Sequence, residues 1–83
     1  MKAYQNANSE NLSIEFSLPE DSKARLELFN VSGQRLAVYE GSVNAFEQHK
    51  VEFSLGDVSG SNVIIYRLTT EHRNYYGKAV MLR

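Results

Sequence analysis

Few side chains in this chain of 83 residues have the types and spacing that catalysis or metal binding needs. His49 and His72 are the two histidines, and neither has a further ligand at metal spacing. A zinc site would need several ligands to converge from distant segments. Ser54 and Asp57 lie near His49 in sequence, but no serine carries the glycine pattern of a nucleophile elbow. The carboxylates are scattered, and Glu20-Asp21 has the composition of a turn that caps its own backbone. A glycosidase pair would need a cleft that so short a chain hardly offers. None of the glycines opens a helix to cradle a phosphate. Tyr75, Tyr76 and Phe29 are the candidates for an aromatic platform that stacks on a sugar, although tyrosine is also an ordinary strand residue. Arg67, Arg73, Lys78 and Arg83 gather toward the C-terminal third, where solvated strand faces account for them. The expectation is a protein that is no enzyme and takes no cofactor or metal.

Composition agrees with that expectation. The net charge is −1, which gives no bulk attraction for nucleic acid or an anionic membrane. There is no cysteine, so disulfide staples and thiolate metal sites are excluded, and stability must come from packing and hydrogen bonds. No apolar run is long enough for a transmembrane helix. The opening, Met1-Lys2-Ala3-Tyr4-Gln5-Asn6, is not a signal peptide, so export would depend on another part of a larger protein.

The elements that would position any site read as strands. Residues 1–10 are polar and read as a linker or loosely held arm, with residues 11–83 as one domain. Leu12, Ile14, Phe16 and Leu18 alternate with polar residues until Pro19 stops the run. Residues 24–31 and 35–40 are further strands, joined by Asn30-Val31-Ser32-Gly33, a turn in which Gly33 takes positive φ. Residues 46–55, 63–70 and 75–82 complete the set. No segment has helical periodicity. The fold class expected is all-β: a small antiparallel β-sandwich of about seven strands, of Ig-like or Greek-key type.

Alternation assigns an inward set of Leu12, Ile14, Phe16, Leu26, Leu28, Leu36, Val38, Val51, Phe53, Leu55, Ile64, Tyr66, Leu68, Val80 and Leu82. It turns Phe29, Tyr39, Val63 and Ile65 outward, as a candidate docking patch. Lys78, Val80, Met81, Leu82 and Arg83 form a basic-apolar ending with the character of a recognition strand.

These phrases, taken in order, resemble type A C-terminal sorting domains of the type IX (Por) secretion system. Tyr4-Gln5-Asn6-Ala7 followed by Leu12 to Glu20 resembles the family's opening, with Gln5 and Ala7 where the family has prolines. Ala24 to Leu36 is similar to its second strand, turn and third strand. Ile65-Tyr66-Arg67-Leu68-Thr69 is similar to its penultimate strand, and Lys78 to Arg83 to its ending; Asn62 and Ile64 stand where the family has Gly-x-Tyr. The resemblance implies addressing rather than chemistry. The domain would follow a large N-terminal cargo domain, and outer-membrane secretion machinery would recognise it. A sortase-type peptidase would remove it as the cargo reaches the surface of a Gram-negative bacterium by way of the periplasm. Two other readings stand beside it: an immunoglobulin- or fibronectin-like spacer, and a small carbohydrate-binding module.

Overall fold

In a computed structural model, residues 1–5, 11–54 and 62–80 are described. They form seven strands: β1 (Lys2–Gln5), β2 (Leu12–Phe16), β3 (Ser22–Phe29), β4 (Arg35–Val43), β5 (His49–Phe53), β6 (Val63–Thr70) and β7 (Asn74–Val80). A three-stranded sheet has the order β1-β2-β5 and a four-stranded sheet the order β4-β3-β6-β7, with every pairing antiparallel. β2 and β3 are neighbours in sequence but lie in different sheets, and so do β4 and β5, which makes the molecule a β-sandwich.

The core is the layer between the sheets. From the smaller sheet it takes Leu12, Ile14, Phe16, Val51 and Phe53; from the larger it takes Leu26, Leu28, Ile64, Tyr66 and Leu68, all buried as alternation expects. Each such side chain is worth about 1.5–3 kcal/mol when fully buried. Leu18, beyond the end of β2, is buried as well, and Leu36 is half-buried against the core. Leu55 and Leu82 lie outside the described residues.

The β3–β4 hairpin has the expected turn. Gly33 has φ of 87° and donates its N–H to the Asn30 carbonyl at 3.0 Å, while Asn30 donates to the Gln34 carbonyl. The Asn30 side-chain oxygen accepts from the N–H groups of Ser32 and Gln34, each at 3.0 Å. A short polar side chain thus satisfies backbone donors that the turn leaves open. Pro19 lies in the exposed bend that follows Leu18.

Within the sheets the structure corrects the sequence at β1, β4 and β7. Lys2–Gln5 is not a loose arm: it pairs with β2 from Lys2↔Glu15 to Gln5↔Leu12. In β4, Val38 is 44% exposed and pairs with the outward Glu27, whereas Tyr39 packs against the core and pairs with the inward Leu26. Leu36-Ala37-Val38-Tyr39 is apolar throughout, so alternation has no phase there. A bulge supplies the phase, because Arg35 pairs with Phe29 and Ala37 with Leu28, leaving Leu36 as the extra residue. Tyr39 therefore leaves the outward patch and Val38 leaves the core. In β7, Val80 is 59% exposed, and the buried residue is Ala79, which pairs with Ile64. Ala79-Val80 has the same lack of phase, and pairing with β6 decides it.

Candidate functional site

The outer face of the four-stranded sheet gathers five of the side chains that the sequence marks as docking or recognition candidates. Phe29 on β3 pairs with Ile65 on β6, and Ile65 in turn pairs with Lys78 on β7. Val63 pairs with Val80 at the end of the same two strands. Because these residues occupy the outward positions of three adjacent strands, Phe29, Val63, Ile65, Lys78 and Val80 make one continuous strip. Met81, Leu82 and Arg83 lie outside the described residues. β7 is the end strand of the order β4-β3-β6-β7. An end strand can offer its backbone groups to an added strand.

The middle of this face carries a feature that sequence reasoning missed. Glu27, on β3, points outward yet is only 4% exposed. Three arginines from three strands cover it. Arg67 on β6, its ladder partner, donates from Nη2 at 2.7 Å and from Nε at 3.2 Å to the same carboxylate oxygen. Arg35 on β4 reaches the other oxygen at 3.4 Å, and Arg25 on β3 stands 3.6 Å away. The Arg67 guanidinium also sits 5.3 Å from the centre of the Phe29 ring, within cation–π range. The hydrogen bond from Arg67 and the surrounding guanidiniums hold the Glu27 carboxyl below the usual carboxylate range, against the opposing effect of its burial. The available signal was the spacing Arg25-x-Glu27, which puts both residues on one face of a strand.

Phe29, Asn30, Val31, Gly33, Ile65, Arg67 and Tyr76 enclose an open groove of about 330 Å³ beside this cluster. Tyr76 is 67% exposed at its rim. Tyr75 points the other way and packs against the core, so Tyr75, Tyr76 and Phe29 do not form one platform.

The remaining candidates stand apart from one another. His49 stacks on Phe16 with ring centres 5.8 Å apart. His72 meets Glu20 at 2.9 Å and joins the β6–β7 turn to the bend after Leu18. Among the described residues no group of histidine, aspartate and glutamate side chains could hold a metal ion. Asp57 lies outside those residues. Arg73 is exposed in the β6–β7 turn, away from the Glu27 cluster on the strands.

One loop residue also escaped sequence reasoning. Phe46, expected at the start of a strand, lies in the β4–β5 loop with φ of 61° and 80% exposure. Its N–H donates to the Leu18 carbonyl at 2.7 Å, and the neighbouring Ala45 N–H donates to the Asp21 carboxylate at 2.7 Å. These two bonds hold an aromatic residue in a left-handed conformation that bulky side chains resist.

The chain matches no family model, and no curated protein or solved structure matches it.

Proposed function

We propose that this chain is a sorting domain, an address that directs a larger attached protein through the type IX secretion machinery to the surface of a Gram-negative bacterium. The observation that carries the proposal is the layout of β7. It is the end strand of its sheet, and its outward Lys78 and Val80 lie beside Ile65 and Val63 of β6. A receptor adding a strand there would gain main-chain hydrogen bonds for affinity and alternate side chains for specificity. The ordered resemblance of residues 4–83 to the family supports the same reading. The face that meets the receptor is the one bearing Lys78 and Val80, because Ala79 belongs to the core.

The test is a fusion. A reporter with an inner-membrane signal peptide at its N-terminus and residues 1–83 at its C-terminus is expressed in a bacterium that has the type IX machinery. The expected result is surface or extracellular reporter. A fused reporter that folds yet stays in the periplasm overturns the proposal.

A further inference from the structure

We propose that the groove beside the Glu27 cluster binds an acidic peptide segment, taking an apolar side chain between Phe29 and Ile65 while Arg35, the ladder partner of Phe29, pairs with a flanking carboxylate. The inference stands apart from the export reading, since the groove would bind such a segment whatever the domain addresses.

Charge complementarity names the occupant. The chain as a whole has a net charge of −1, yet on the outward positions of this sheet Arg25, Arg35, Arg67 and Lys78 face only Glu27 and Glu40 as carboxylates. Glu40 is the ladder partner of Arg25, which leaves Arg35, Arg67 and Lys78 with Glu27 as their carboxylate. Arg67 already gives Glu27 two hydrogen bonds to one oxygen, and its side chain is less exposed than that of Arg35. Arg35 makes a longer contact, and its side chain is 56% exposed. Glu27 thus anchors the cluster and leaves a surplus of positive charge along the groove. A guanidinium presents its donors in a planar fork that matches a carboxylate.

The apolar part of the site favours a peptide over a bare anion. Its floor is Phe29 and Ile65, ladder partners on adjacent strands, with Val31 and the exposed Tyr76 at the rim. A groove of about 330 Å³ has room for a large side chain. An extended peptide places alternate side chains on one face, so an apolar residue in the groove turns an acidic residue two positions away to the same face, beside Arg35.

The probe is an acetylated, amidated hexapeptide with two central leucines and two aspartates at each end, titrated into the 83-residue chain and followed by amide chemical shifts and calorimetry. A matched peptide with lysines in place of the aspartates is the control. The expected result is saturable binding of the acidic peptide alone, weakening as salt rises, with shifts centred on Phe29, Ile65, Arg67 and Tyr76. Arg35→Gln should weaken binding about two- to fivefold, as a solvent-screened pair does. Shifts centred elsewhere on the wild-type chain overturn the proposal without recourse to any variant. So does equal binding of the lysine peptide, or equal binding of single-stranded RNA or anionic vesicles.

Discussion

At the scale of single residues, two glycines do opposite work. Gly33 meets nothing within 4 Å of where a β-carbon would stand, so its role is its backbone conformation, φ of 87°. Gly33→Val should therefore cost about 1–2 kcal/mol through backbone strain alone, and Gly33→Asn should cost much less, since asparagine tolerates that region. Gly77 is limited by space: a β-carbon there would overlap the ring of Tyr66, its buried ladder partner. Gly77→Ala should cost about 1–3 kcal/mol by overpacking, and Gly77→Asn should be no better. Urea denaturation of the four variants checks this, and an asparagine that rescues both positions equally contradicts it. Glu27 gives a pH dependence. Its folded pKa is lowered chiefly by the Arg67 hydrogen bond, so its stabilisation is complete above the unfolded glutamate value and is lost as pH falls through the folded one. Glu27→Gln should lose on the order of 1 kcal/mol at neutral pH, a modest figure because the guanidiniums are solvent-screened. The gap to wild type should close as pH drops below about 4. Thermal melts from neutral pH to strong acid measure it, and a gap that widens in acid contradicts the assignment.

At the scale of elements, legibility followed the clarity of alternation. Leu12-Ser13-Ile14-Glu15-Phe16 alternates cleanly, as do residues 50–53, and their inward faces were plain in the sequence. β4 and β7 were legible as strands but not as faces, because Leu36 to Tyr39 and Ala79-Val80 are apolar without a phase. The phase there comes from pairing, through the bulge at Leu36 in β4 and through the Tyr66–Gly77 contact in β7. Gly77 was the one local hint, since glycine inside a strand often marks a close approach. β1 escaped notice because its four residues, Lys2-Ala3-Tyr4-Gln5, are too few to show alternation, and the small Ala3 is the one that packs against the core. Of the candidate site, Phe29, Val63, Ile65 and Lys78 were legible as surface residues. The Glu27 cluster was not, since Arg35 and Arg67 come from other strands and only the fold brings them together. The face of β7 can be tested directly. Ala79→Asn buries an amide next to Ile64 and should cost about 1–3 kcal/mol. Val80→Asn should change stability by no more than about 0.5 kcal/mol. The reverse order, read from denaturation midpoints, would return Val80 to the core.

At the scale of the whole molecule, the sandwich separates support from display. The inner faces of the two sheets form the core, and the outer face of the larger sheet carries an apolar strip, a basic cluster and the outward side of its end strand. Sorting through that outer face is the central claim. Its most direct test uses the reporter fusion with Lys78→Ser and Val80→Ser introduced together. Both side chains are exposed, so the melting temperature of the isolated domain should stay nearly unchanged. The measurement is the fraction of reporter accessible to protease on intact cells, beside the unsubstituted fusion. The account predicts that the unsubstituted fusion is accessible and that the doubly substituted one, still folded, accumulates in the periplasm. Equal surface accessibility of the two would contradict recognition through this face.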